Sequence, residues 1–121
     1  MSVFNDKVIV VTGASSGIGR ALAMDALGRG ARVAVCARNV DKLNNVFAGV
    51  GGVFTWEADV SKEDDCKAFI EAVIDKWERI DVLINNAGIS MRALFEEADL
   101  SVIRELMDIN FWGTVYCTRF A

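Results

Sequence analysis

A glycine-rich loop follows directly on an apolar run near the start of the chain. Val8 to Val11 form that run, and the sequence T-G-A-S-S-G-I-G occupies positions 12–19. Gly13, Gly17 and Gly19 lack the side chains that would keep a phosphate away from backbone N–H groups at a helix start. The pattern therefore predicts a strand, a phosphate-binding loop and a helix, with a dinucleotide as the ligand.

The other residues of this loop have predicted roles as well. Thr12, Ser15 and Ser16 offer hydroxyl groups to phosphate oxygens. Ile18 is predicted to anchor the start of the helix in the core, and the helix N-terminus adds partial positive charge near the pyrophosphate. The alternative interpretation is a tight strand-to-helix turn without a ligand.

Short apolar runs alternate with helical patterns along the rest of the chain. Strands are predicted at 7–11, 32–36, 53–57 and 81–84, and helices at 18–29, 40–48, 62–78 and from about 99 onward. This alternation predicts an α/β fold with a doubly wound parallel sheet. Right-handed crossovers place the strands in the order 3-2-1-4, with the ligand at their carboxyl ends.

Two helix starts carry predicted caps. Asn39 precedes helix 40–48, and Ser61 precedes helix 62–78, whose first turn is acidic. The second helix also has the clearest apolar stripe, which consists of Cys66, Phe69, Ile70, Val73, Ile74 and Trp77.

The end of the second predicted strand indicates which nicotinamide cofactor binds. An acidic residue at this point would hold a ribose 2′-OH and imply NAD. The sequence has Arg38 instead, and a guanidinium pairs with a 2′-phosphate in a bidentate manner. Arg38 therefore favours NADP over NAD, the alternative being a solvated arginine at the start of a helix.

Polar or small residues also follow the third and fourth strands. Asp59 is predicted to accept a hydrogen bond from the adenine amino group while Val60 packs on the ring; the alternative is a loop aspartate that caps the next helix. Asn86, Ala87 and Gly88 allow the backbone to approach a ligand closely, although Asn-Asn-Ala-Gly by itself is a turn sequence.

Composition excludes several functional classes. The 121 residues suffice for one domain, and a net charge of −4 argues against a nucleic-acid partner. Three cysteines without a C-x-x-C pair and no histidine disfavour a disulfide framework, a metal site and histidine-based catalysis. Neither a signal peptide nor a run of about 18 apolar residues is present, so a cytoplasmic protein without a membrane span is expected.

Together these segments resemble the short-chain dehydrogenase/reductase family. The loop at 12–19 matches its cofactor loop, Asp59-Val60 its adenine contact, and N-N-A-G at 85–88 a further family segment. Asn110 matches the helix asparagine of its catalytic tetrad. The resemblance implies a Rossmann-type sheet and hydride transfer between NAD(P)(H) and a small alcohol or carbonyl substrate. It also implies that Asn110 kinks its helix and holds a water that relays protons towards a lysine.

The chain departs from the family in one large respect. Family members run to roughly twice this length, and their Ser and Tyr-x-x-x-Lys residues come after the asparagine. Tyr116 is the only tyrosine here, and Phe120 stands where the lysine would be. Tyr116 is interpreted as a packing residue. The fold is thus predicted to stop after the fourth strand and its helix, and the 121-residue chain alone is predicted to be inactive.

Two alternatives to the enzyme remain. The chain could be a non-catalytic dinucleotide-binding module, or a shortened chain that self-associates through the open edge of strand 81–84. Bare apolar residues on the last helix favour a homo-oligomer: Phe111, Trp112, Val115 and Phe120. A methyltransferase domain begins similarly, but it binds a cofactor without phosphates and gives no reason for N-N-A-G. The loop 90–95 is mostly apolar, which favours an apolar alcohol or ketone as substrate.

Overall fold

The computed structural model describes residues 4–88 and 99–121. Its strands are β1 (Val8–Thr12), β2 (Arg32–Ala37), β3 (Val53–Glu57) and β4 (Val82–Ile84). Its helices are α1 (Gly17–Gly28), α2 (Val40–Val46), α3 (Glu63–Trp77), α4 (Leu100–Met107) and α5 (Gly113–Phe120), with a π-helical turn, Asp108–Trp112, joining the last two. The predicted substrate loop 90–95 lies outside the described residues.

The four strands form one parallel sheet in the order β3-β2-β1-β4, which confirms the predicted topology. Val10 at the centre of β1 lies opposite Ala34 on one side and Leu83 on the other. All five residues of β1 are buried, because helices cover both faces of the sheet. Because all four strands run in the same direction, the loops that follow them begin at the same end of the sheet.

Successive residues of β1 face two separate hydrophobic cores. Val8 and Val10 pack with α3 and α5, while Ile9 and Val11 pack with α1 and α2. This alternation follows from the two-residue period of side chains along a strand. Helices therefore pack against both faces of the sheet.

The prediction that Ile18 anchors α1 in the core is wrong. Ile18 is 73% exposed, whereas Gly19, Ala23 and Ala26 are the buried residues of the helix. Residues spaced three and four apart share one helix face, so this small-residue face lies on the sheet. Ile18 and Leu22, one turn apart, consequently lie on the outer face.

One of the two predicted caps is confirmed and the other is wrong. The Asn39 side chain accepts a hydrogen bond of 3.1 Å from the Lys42 N–H and so caps α2. α3 begins at Glu63 and has Lys62 at its N-cap position, without a side-chain cap. Ser61 donates to Asp59 instead, because its hydroxyl and N–H both reach the same carboxylate oxygen.

The three cysteine thiols are unpaired and buried. Cys66 of α3 donates to the Val60 carbonyl at 3.3 Å, and its hydrogen bond with Cys117 of α5, together with burial, raises the pKa of Cys66. Burial raises the pKa of Cys36 in β2 to about 12. Cys36 and Cys66 are therefore protonated packing groups at neutral pH.

Asp81 joins two strands at the other end of the sheet, where the strands begin. Its carboxylate accepts from the Val8 N–H at 2.8 Å and from Arg79 Nε at 3.0 Å. The hydrogen bond from Val8 holds the pKa of Asp81 below its usual value. The start of β4 is thereby tied to β1, which sets the register of the strand whose far end carries residues 85–88.

No helix in the described ranges is long and apolar enough to cross a membrane.

Candidate functional site

A cleft of about 850 Å³ opens at the carboxyl ends of the strands. Nine of the predicted site residues line it, and they come from the loops after all four strands: Gly13, Ser15, Ser16, Arg38, Asp59, Val60, Asn86, Ala87 and Gly88. Side chains far apart in the sequence meet here because parallel strands end at one edge of a sheet.

The start of α1 faces this cleft without a capping side chain. Ser16 occupies the N-cap position in an extended conformation and makes no side-chain cap, and the first turn holds no acidic residue. The N–H groups of a helix start need partners and carry partial positive charge. An anionic group in the cleft can satisfy them, and Gly17, with φ at +61° and open space around it, leaves the approach clear.

Thr12 lies beneath the cleft and does not line it. It is 1% exposed, and its hydroxyl accepts hydrogen bonds from the N–H groups of Asn86 and Ala87 at 3.0 and 2.9 Å. That this hydroxyl also meets a phosphate stays a prediction, and the structure shows a second role for it. Thr12 joins the end of β1 to the segment after β4 and so holds two walls of the cleft together.

Two of the loop glycines serve the same junction. The Asn86 amide donates to the Gly13 carbonyl at 3.1 Å. A Cβ added to Gly13, whose φ is +65°, would lie 2.7 Å from the Ala87 Cα, and one on Gly19 would collide with the Asn86 amide. Gly13 and Gly19 thus allow close approach of the first and fourth loops, and neither Gly17, Ile18 nor Gly19 lines the cleft itself.

The end of the cleft beside α2 carries opposite charges. Arg38 lines it, and among the described residues its guanidinium makes no ion pair. Glu57, at the end of β3, lines the same end. Sequence reasoning missed Glu57. Its place at this end of the cleft follows from the β2–β3 register, which puts Glu57 opposite Ala37, the residue before Arg38.

Asp59 is held in place as an ionised acceptor. Its Oδ1 accepts from Ser61 N and Oγ at 3.0 and 2.6 Å, and its own N–H donates to Asp65 at 2.9 Å. Partial burial favours protonation, but the Ser61 hydrogen bonds and the charge of Arg38 outweigh it, so the pKa of Asp59 is lowered. The carboxylate can therefore accept a hydrogen bond from a ligand at neutral pH.

Asn110 lies in the π-helical turn between α4 and α5. Single π-helical turns are frequent at functional sites because they redirect a side chain within a helix. Asn110 does not line the cleft, but its neighbour Ile109 does, and a Cβ on Gly88 would lie 3.1 Å from Asn110 Oδ1. The irregular turn matches in position the kink that the resemblance implied.

α5 follows this turn and packs tightly on the Asp59–Val60 segment. A Cβ on Gly113 would lie 2.8 Å from Val60 Cγ2 and 3.1 Å from the Val60 carbonyl. Only glycine therefore fits between α5 and this wall of the cleft. Gly113 is a second residue that sequence reasoning missed, since nothing in its local sequence indicates this contact.

Comparisons with known proteins identify the family of this fold and cleft. The short chain dehydrogenase family matches residues 7–121. An 11-beta-hydroxysteroid dehydrogenase A from Sesamum indicum is 46% identical over 95% of this chain, and one from Pinus massoniana, named 11-beta-hydroxysteroid dehydrogenase, is 45% identical over 95%. The chain spans 35% and 34% of the length of these two relatives.

Solved structures give the same result. A 3-ketoacyl-(acyl-carrier-protein) reductase from Brucella melitensis, complexed with NADH, superimposes with a TM-score of 0.92 at 30% identity, over 96% of this chain and 48% of that one. An aldohexose dehydrogenase from Thermoplasma acidophilum gives 0.86 at 35% identity, over 98% and 44%. With the family match across residues 7–121, the chain belongs to the short-chain dehydrogenases.

Proposed function

We propose that this chain is the cofactor-binding part of an oxidoreductase that transfers hydride between NADP(H) and a carbonyl or alcohol carbon. The observation that carries the proposal is the convergence of residues after all four strands on one cleft, which the uncapped start of α1 faces. Its relatives are named as dehydrogenases and reductases, and one of the reductases was solved in complex with NADH. These names support the same reaction class.

Each part of the dinucleotide has candidate partners in this cleft. The pyrophosphate fits at Gly13, Ser15, Ser16 and the start of α1, which has no side-chain cap. The adenine fits between Asp59 and Val60, and the 2′-phosphate beside Arg38. The nicotinamide would supply or accept the hydride. We place it near the loop at 86–88, on the side of the cleft nearest the Asn110 turn.

Asn110 is the one residue to which we assign part of the proton relay. The 121 residues contain no Tyr-x-x-x-Lys pair, and Tyr116 stacks on Trp112 at 5.9 Å and packs against the core formed by α3 and α5. Tyr116 is thus poorly suited to donate a proton to a substrate oxygen. We infer that the 121-residue chain binds nucleotide without turning over substrate. The hydroxysteroid names of its plant relatives support an apolar alcohol or ketone as the substrate of a complete enzyme.

Fluorescence titration of NADPH and NADH tests the proposed cofactor. We expect NADPH to bind more tightly, and Arg38→Gln to weaken NADPH by about ten- to a hundredfold, because charge-assisted hydrogen bonds contribute about 1.5–3 kcal/mol. NADH binding is expected to change little. Arg32→Gln is the matched control, since Arg32 is the first residue of β2 and lies at the end of that strand away from the cleft. An Arg38→Gln protein with an unchanged NADPH/NADH ratio would contradict the assignment of NADP.

A second candidate function is self-association through the open side of the sheet. Within the described residues β4 pairs only with β1, and the next helices leave Phe111, Trp112 and Val115 exposed by 50%, 43% and 37%. An unprotected apolar edge strand pairs readily with another chain. This arrangement would give homo-oligomers that bind nucleotide and catalyse no reaction.

A further inference from the structure

We propose that Glu57 is a second determinant of cofactor choice, which accepts a hydrogen bond from the ribose 2′-OH of NAD(H) and opposes the 2′-phosphate of NADP(H). The proposal rests on the dinucleotide function inferred above and goes beyond it. It makes the preference for NADP(H) a balance between Arg38 and Glu57, so that both nucleotides bind.

The register between β2 and β3 brings the two charges together. Ala37 is the register partner of Glu57, and the Ala58 N–H donates to the Ala37 carbonyl at 3.1 Å. Arg38 follows Ala37 directly, so it leaves the sheet next to the end of β3. Arg38 and Glu57 both line the main cleft and a smaller adjoining cavity.

Two exposed carboxylates at this end of the cleft form no hydrogen bond or ion pair with the protein in the described ranges, Glu57 and Asp41 of α2, and of the two Glu57 also lines the smaller cavity with Arg38. Asp59 already accepts two hydrogen bonds from Ser61, and Asp65 accepts one from the Asp59 N–H. The Glu57 side chain is exposed, and within residues 4–88 and 99–121 it forms neither a hydrogen bond nor an ion pair. Its acceptor oxygens are therefore not engaged by the protein in these ranges.

The chemistry of a ribose explains why such a carboxylate matters. A 2′-OH donates to a carboxylate, and dinucleotide sites that select NAD use an acidic residue for this contact. A 2′-phosphate carries a charge of about −1.5 to −2 at neutral pH, so the same carboxylate repels it. At this site the acid comes from the end of β3, while the end of β2 supplies Arg38.

The test is the same nucleotide titration at low ionic strength with Glu57→Gln. We expect the ratio of NADPH to NADH affinity to rise by about two- to fivefold, the scale of one exposed charge interaction. NADPH should bind more tightly and NADH more weakly. Glu71→Gln is the matched control, because Glu71 is an exposed glutamate on α3 that does not line either cavity. Far-UV circular dichroism and a thermal melt verify that each variant is folded.

A pair of smaller probes isolates the ribose end. Adenosine 2′,5′-bisphosphate and adenosine 5′-monophosphate differ only in the 2′-phosphate, so Glu57→Gln should strengthen the first and not the second. An unchanged or lowered ratio in folded Glu57→Gln, with Arg38→Gln still altering it, would refute the role of Glu57 and leave the proposed function intact. Failure of wild-type protein to bind either dinucleotide at millimolar concentration would refute the proposed function itself, and the role of Glu57 with it.

Discussion

At the scale of single residues, two glycines of α1 illustrate how position decides the effect of a side chain. Gly19 lies against the Asn86 amide and the Gly13 carbonyl, whereas a Cβ on Gly28, the last residue of the helix, would meet no atom within 4 Å. Gly19 is thus required by a contact between two loops. Gly28 is required by nothing in the described residues.

We therefore predict opposite outcomes for two alanine variants. Gly19→Ala should lower the free energy of unfolding by about 1–3 kcal/mol, the usual cost of overpacking, and should weaken nucleotide binding by separating the first and fourth loops. Gly28→Ala should leave stability unchanged or raise it slightly, since alanine reduces the freedom of the unfolded chain. Urea denaturation measures both, and equal stabilities for the two variants would show that the loop contact is unimportant.

At the scale of elements, the short helix α2 depends on its cap. It has only seven residues, and Asn39 satisfies the Lys42 N–H at its start. Helices this short are marginal on their own, so an N-cap contributes a large part of their stability. The cap also fixes the backbone directly after Arg38, which joins the stability of α2 to the geometry of the predicted phosphate contact.

The variant Asn39→Ala should lower the free energy of unfolding by about 1 kcal/mol and also reduce NADPH affinity. Asn45→Ala serves as the matched control, because Asn45 lies in the same helix and its side chain forms no hydrogen bond within the described ranges. Chemical denaturation and NADPH titration measure the two effects. If both alanine variants are equally stable, the cap at Asn39 does not support α2.

At the scale of the whole molecule, β4 is an edge strand of the sheet in the described residues. It pairs with β1 alone in these ranges, and the apolar residues Phe111, Trp112 and Val115, which follow it in the sequence, are exposed. We predict that the 121-residue chain self-associates at micromolar concentration, because exposed apolar surface and unpaired strand groups both favour contact with another copy.

Sedimentation velocity across a concentration series measures this association. Val82→Lys should shift the distribution towards monomer, since a charged residue on an edge strand discourages pairing; Val82 is exposed on β4, which makes the change compatible with folding. Val115→Lys tests the helical surface separately. A monodisperse wild-type monomer over the whole series would contradict the prediction.

The sequence by itself determined the alternation of strands and helices, the strand order 3-2-1-4 and the family, because short-range patterns carry this information. Apolar runs, a glycine spacing and helical periodicity are all read within a few residues of one another. The cap at Asn39 was predictable for the same reason, since its hydrogen bond spans three residues.

Only the tertiary structure decided which residues face one another across the sheet. Thr12 accepts hydrogen bonds from the segment after β4, and Gly113 leaves room for the Val60 side chain. Ile18 lies outside the core. Glu57 lies at the same end of the cleft as Arg38 only because β2 and β3 pair in one register. Contacts of this kind depend on strand register and on the face that a helix presents, and neither is encoded within a local stretch of sequence.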